Sequence, residues 1–132
     1  MFEITVEESF AAGHALRGYK GKCENVHGHN YKVRVTLEGK VLDSIGLLYD
    51  FHDLKKIVRD LIQAIDHKFM NEVPPFDVEN PSAENMAKYF YHGLKKHLAA
   101  PAAAGARPDG IGARIQQVTV FETEATTATY RE

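Results

Sequence analysis

Hydrophobic and polar residues alternate along the first third of the chain. Phe2, Ile4 and Val6, then Phe10, Ala12 and His14, mark a strand over residues 2–14, with a phase slip near Glu7-Glu8 that predicts a bulge. Residues 15–26 carry Gly18, Gly21 and several polar groups and read as a loop. In the second strand His27, His29, Tyr31, Val33, Val35 and Leu37 share one parity, and Asn30, Lys32, Arg34, Thr36 and Glu38 take the other. Alternate residues of a strand point to opposite faces, so the first set is predicted to be buried and the second mostly solvated.

The period then changes. Asp50 is suited to cap a helix in which Leu54, Ile57, Val58, Leu61, Ile62 and Ile65 form one apolar stripe. Pro74-Pro75 breaks the chain. Asn80-Pro81-Ser82 restarts it, with Pro81 tolerated in a first helical turn, and Ala87, Phe90, Tyr91, Leu94 and Leu98 make a second stripe. Residues 99–113, rich in Ala, Gly and Pro, read as a surface linker or insertion without chemistry. Arg114 to Thr123 and Ala125 to Tyr130 read as two strands joined by a tight turn. The predicted order is β-β-α-α-β-β, an α+β fold with an antiparallel sheet, in a single domain over residues 1–132.

Composition removes several classes of function. No apolar run is long enough to span a bilayer, so no membrane partner is expected. The start, Met1-Phe2-Glu3-Ile4, lacks the basic and apolar parts of a secretory signal, which makes a cytoplasmic address the expectation. A net charge of -2 argues against a nucleic-acid partner held by bulk electrostatics. With one cysteine, the chain has no intrachain disulfide and no Cys-rich structural zinc site.

Histidines carry the first chemical signal. His27 and His29 lie two apart on a strand, on one side and roughly 6.6 Å apart along it, close enough for both imidazoles to reach one ion. They continue the buried parity of Tyr31 and Val33, where imidazole nitrogens need partners. His14 ends the first strand, and a hairpin places that end beside the start of the second. Three neutral imidazoles leave one tetrahedral position open, the pattern of a catalytic zinc. The alternative is two hydrogen-bonded sheet histidines and a loop histidine. The hairpin register of His14 favours the metal.

Cys23 lies in a polar loop between these ligands, flanked by Lys20 and Lys22, whose charge favours the thiolate. Its residue type fits a fourth ligand, a nucleophile, a general base or an inert small side chain. Asp66-His67, at the end of the first helix, reads either as a charged pair at a helix terminus or as a proton relay beside a thiol. Glu122 is the odd member of the face it shares with Val118 and Val120. It reads as an edge residue paired with Lys or Arg, or as a carboxylate accepting from a flat N–H/NH2 edge such as that of an aminopyrimidinone. His52, His92 and His97 are out of phase with this site and read as surface residues.

Together, FAAGHAL at 10–16, CENVHGHNY at 23–31, LLYDFHDLK at 47–55, IDHKFMNE at 65–72, NPSAEN at 80–85 and VFET at 120–123 resemble the 6-pyruvoyltetrahydropterin synthase superfamily. Within it they most resemble the 6-carboxytetrahydropterin synthases of queuosine biosynthesis, because three residues separate Cys23 from His27. The resemblance implies a tunnelling fold in which three subunits close a barrel and two barrels stack into a homohexamer. It implies Zn2+ on His14, His27 and His29, a catalytic thiol at Cys23, an acid–base pair at Asp66 and His67, and at Glu122 a carboxylate that anchors the pterin and joins the catalytic proton relay. Ser82 and Glu84 fall in a segment that lines the pterin pocket in relatives. The implied reaction is conversion of the pterin triphosphate 7,8-dihydroneopterin triphosphate to 6-carboxytetrahydropterin, acetaldehyde and triphosphate. Its alternatives are the 6-pyruvoyl reaction and a non-catalytic zinc- or pterin-binding protein.

Overall fold

β1 (Phe2–His14) and β2 (His27–Gly39) run antiparallel in one unbroken register, from Phe2 opposite Gly39 to His14 opposite His27. The computed structural model describes residues 1–21, 24–99 and 112–132; Cys23 and most of the predicted 99–113 linker lie outside them. β3 (Arg114–Thr123) pairs with β2, and β4 (Thr126–Tyr130) with β3, giving the order β1-β2-β3-β4. Between the two hairpins come α1 (Phe51–Gln63), a 3-10 turn at Met70–Glu72 and α2 (Ala83–Ala99). The α+β order is the one the periodicity predicts; the 3-10 turn has no periodic signature in the sequence.

Both helices cover one face of the sheet, α1 against β1 and α2 against β3 and β4. The inward residues Val6, Phe10, Tyr31, Val33, Val35, Leu37, Val118 and Val120 meet Leu54, Val58 and Ile62 of α1 and Met86, Phe90 and Leu94 of α2. This burial is the main stabilising term. Asp50 caps α1, accepting from the amides of His52 and Asp53 at 2.8 and 3.1 Å. The outward face of the sheet is charged: Arg34 Nε donates to Glu7 at 2.7 Å, and Lys32 and Arg34 stand 4.3 and 4.8 Å from the centre of the Phe121 ring.

Two local expectations are corrected. The bulge predicted near Glu7-Glu8 is absent, since β1 and β2 pair without a shift. Glu8 keeps the inward parity and is stabilised there by Arg59 of α1, whose Nη2 stands 2.9 Å from its carboxylate. The irregularities lie in β3, one opposite Thr36/Leu37 and one between Phe121 and Thr123. Pro81 lies outside α2 rather than in its first turn. Ser82 precedes the helix and accepts from the Asn85 amide at 3.2 Å, so the helix start is set by a side-chain cap.

Candidate metal centre

The β1–β2 register brings the three histidines to one end of the hairpin. His14 and His27 are directly opposite, and His29 lies opposite Ala12. Their ring centroids are 4.5 Å apart for His14–His27, 5.2 Å for His14–His29 and 4.9 Å for His27–His29. Glu122 joins them from β3. The partners run Phe121–Thr127 and then Thr123–Thr126, so Glu122 is an extra residue against β4. Such bulges re-aim side chains next to functional sites. One Glu122 oxygen lies 3.2 Å from His14 Nε2 and 3.2 Å from His29 Nε2.

Hydrogen bonds on the far side of two rings decide what these groups are. His14 Nδ1 is 2.7 Å from the Pro81 carbonyl, and His27 Nδ1 is 2.6 Å from the Asn25 carbonyl. A carbonyl only accepts, so each Nδ1 carries the proton and each neutral ring presents a lone pair at Nε2. Those two Nε2 atoms stand 2.9 Å apart. Two ring nitrogens and a carboxylate oxygen thus converge on one point, where a cation would satisfy all three. The donor atoms of His14, His27, His29 and Glu122 all lie within 4.8 Å of one another. Ligands of a tetrahedral zinc with Zn–N bonds of about 2.0–2.1 Å stand roughly 3.3 Å apart, close to the spacings seen. The donor set and its spacing fit such an ion.

The electrostatics favour the same state. Burial is the largest influence on His14 and holds its pKa below the usual histidine value, with His27 and His29 pushing the same way and the Pro81 carbonyl and Glu122 opposing. That direction favours the neutral ring, the form able to bind a metal ion. Its side chain is 1% exposed, against 24% for His29 and 29% for Glu122, so the cluster opens toward solvent on the His29–Glu122 side. Tyr31 forms the wall beneath, its ring edge-on to His14 and His29 at 5.7 and 5.5 Å. Burial raises the pKa of its hydroxyl, which is sealed from solvent with no hydrogen-bond partner among the described residues.

Asp66 and His67 sit against the free edge of β1. Asp66 Oδ1 accepts from the Ala11 amide at 3.1 Å and lies 2.9 Å from His67 Nδ1. These bonds, the Ala11 amide first, hold the Asp66 carboxyl below the usual range. His67 has a φ of 57°, a left-handed conformation that costs a non-glycine residue about 1–2 kcal/mol. Its amide offsets this by donating to the Ala11 carbonyl at 2.6 Å, and the Gly13 amide donates to the Lys68 carbonyl at 3.0 Å. His67 and His29 line one open depression of about 460 Å³, between the Gly13–Gly28 pair and Phe69. Asp66 and His67 are in contact with each other, and His67 borders the histidine cluster without joining it.

Cys23 lies outside the described residues. Ser82 is occupied as the cap of α2, and Glu84 is exposed in its first turn. His52, His92 and His97 are exposed and outside the cluster, as their phase predicts. The Pro81 and Asn25 carbonyls have no signal in the sequence, because every residue offers the same group.

The fold and this cluster define an α+β protein with a candidate metal centre, and comparison with known proteins gives its family. Residues 3–132 match the 6-pyruvoyl tetrahydropterin synthase family, and the chain belongs to it. The 6-carboxy-5,6,7,8-tetrahydropterin synthase of Aquifex aeolicus is 32% identical over 99% of this chain and 98% of its own. The 6-pyruvoyl tetrahydrobiopterin synthase of Homo sapiens is 36% identical over 84% of this chain and 71% of its own. The structure of Caenorhabditis elegans 6-pyruvoyl tetrahydropterin synthase covers 100% of this chain and 97% of its own, with a TM-score of 0.78 and 30% identity. The architecture is therefore the tunnelling fold of this family. Among the described residues, no helix is long and apolar enough to cross a membrane.

Proposed function

We propose that the protein is a zinc-dependent 6-carboxy-5,6,7,8-tetrahydropterin synthase of queuosine and 7-deazapurine biosynthesis, acting in the cytoplasm as a homohexamer of two stacked trimers. Its substrate is 7,8-dihydroneopterin triphosphate, which with one water yields 6-carboxytetrahydropterin, acetaldehyde and triphosphate. The observation that carries this reading is the convergence of the His14 and His27 Nε2 lone pairs, with His29 and Glu122 beside them. Relatives named for the 6-carboxy reaction support the choice of product.

His14, His27 and His29 hold the zinc. Bound there, zinc supplies Lewis acidity toward the hydroxyls of the substrate side chain. Glu122 accepts hydrogen bonds from the N–H/NH2 edge of the pterin, which orients the side chain toward the histidines. The Cys23 thiolate takes a side-chain proton, and Asp66 with His67 returns protons as triphosphate leaves and the carbon–carbon bond breaks. The 2.9 Å contact between Asp66 Oδ1 and His67 Nδ1 suits that relay, because the carboxylate fixes the orientation of the ring.

A second reading has an observation in its favour. Relatives named 6-pyruvoyl tetrahydrobiopterin synthase match at comparable identity, and that reaction eliminates triphosphate without breaking the carbon–carbon bond. Mass spectrometry of products from zinc-loaded protein and 7,8-dihydroneopterin triphosphate separates the readings. A 6-carboxytetrahydropterin mass with acetaldehyde is expected. A pyruvoyl product moves the protein to the other branch, and unchanged substrate makes it a zinc- or pterin-binding protein.

A further inference from the structure

We propose that Asn71 and Asn80 are positioning residues of the metal centre: by pairing with the main chain just beyond His14, they hold the Pro81 carbonyl that fixes the tautomer of that ligand. The proposal rests on the metal-centre reading and adds residues from outside the ligand set.

The β1–β2 ladder ends at His14–His27, so, among the described residues, 15–17 have no partner strand. Two side-chain amides take that place. Asn71 Oδ1 accepts from the Ala15 amide at 2.9 Å, and its Nδ2 donates to the Ala15 carbonyl at 2.8 Å. Asn80 repeats the pattern on Arg17, at 2.9 Å in both directions. A primary amide offers one acceptor and two donors on a short, planar group, and so pairs with a residue much as a neighbouring strand does. The ladder is in effect prolonged past the metal ligand by residues 56 and 63 positions away.

Arg17 then ties the two clamps together. Its guanidinium donates to the carbonyls of Phe76 at 2.8 Å, Glu79 at 3.2 Å and Asn71 at 3.2 Å, which holds the 71–80 segment against the end of β1. Asn80 immediately precedes Pro81, and Asn85 Nδ2 donates to the Asn80 carbonyl at 2.9 Å. The Pro81 carbonyl is thereby fixed between the clamp on one side and the cap of α2 on the other. It accepts from His14 Nδ1, which keeps the Nε2 lone pair aimed at the ligand cluster. Partners that orient a metal-bound histidine typically contribute 10–100-fold in metal affinity. Asn71 and Asn80 act one step further out, so an effect on the order of tenfold is expected.

Asn71→Asp and Asn80→Asp keep the size and the acceptor but lose the donor to Ala15 or Arg17. The first readout is the tautomer of His14 from imidazole 15N shifts in metal-free protein at mildly alkaline pH. The wild type is expected to show a single Nδ1–H form and the variants a mixture. The second is zinc affinity by chelator competition, expected to weaken on the order of tenfold. Each variant keeps the other clamp, and Asn80→Ser, at the more exposed pair, replaces any that does not fold. Folded variants with wild-type tautomer and zinc affinity would reduce the asparagines to loop packing and overturn the proposal. A wild type that binds no zinc would instead defeat the metal reading, while the tautomer measurement still decides this one.

Discussion

His14 Nε2 and His27 Nε2 face each other at 2.9 Å while the Nδ1 of each ring is committed to a backbone carbonyl, Pro81 for one and Asn25 for the other. The contact is a consequence of register. These two residues are the last aligned pair of the β1–β2 hairpin, and their side chains leave the same face. Loss of either ring leaves the other lone pair without a common target. His27→Ala is therefore expected to lower zinc affinity by more than the order of 100-fold, beyond what loss of an orienting partner costs. Zinc content after dialysis against a weak chelator is the measurement; stoichiometric zinc in the variant would remove His27 from the ligand set.

In the proposed function Cys23 abstracts a proton rather than binding the metal. Cys23→Ala is expected to keep stoichiometric zinc and pterin binding while turnover falls on the order of 10²–10⁴-fold, the range for a positioned acid or base. Zinc loss in this variant would make the thiol a fourth ligand, and an unchanged rate would make it inert.

Glu122 stands close enough to the imidazoles to serve either the metal or the pterin ring. As the pterin anchor, it offers two acceptor oxygens to two donors. Glu122→Gln turns an N–H2 toward that donor edge, so kcat/KM should fall on the order of 100-fold or more, since hydrogen bonds to a charged group contribute about 1.5–3 kcal/mol each. Zinc affinity should change by less than about tenfold, because the three imidazoles remain. The reverse pattern, large zinc loss with KM unchanged, would make Glu122 a ligand.

Acid sensitivity should trace in part to Asp66. Hydrogen bonds from Ala11 and then His67 lower its folded pKa below the reference value of 3.8. The unfolded chain therefore takes up the proton first as pH falls. The stabilisation is complete above 3.8 and is lost as pH drops through the folded value. The side chain is 35% exposed, so the effect is modest. Urea unfolding of metal-free protein between mildly acidic and strongly acidic pH should show a shallower acid loss in Asp66→Asn than in wild type. Parallel pH profiles would show that the Ala11 and His67 bonds do not favour the charged form.

Parity along a strand is a local property, and it was enough to put His27 and His29 on the face of Tyr31 and Val33 and to put Glu122 with Val118 and Val120. The helix stripes and the Asp50 cap were legible for the same reason, since each involves residues within a few positions of one another. Parity misled where long-range pairing intervened. Glu8 looks like a break in the pattern of β1, yet it holds its inward place because Arg59, from a different element, neutralises it.

The sequence by itself determined which residues alternate, which repeat at helical spacing, and that three histidines stand near one end of a hairpin. Only the tertiary structure decided that Glu122 reaches the histidines through a bulge in β3, and that a proline carbonyl 67 positions away sets the His14 tautomer. The physical reason is the range of the interactions. Side-chain direction follows from a few backbone angles, whereas a backbone carbonyl, identical at nearly every residue, gains a role only when packing of the helices on the sheet brings it to a particular ring nitrogen.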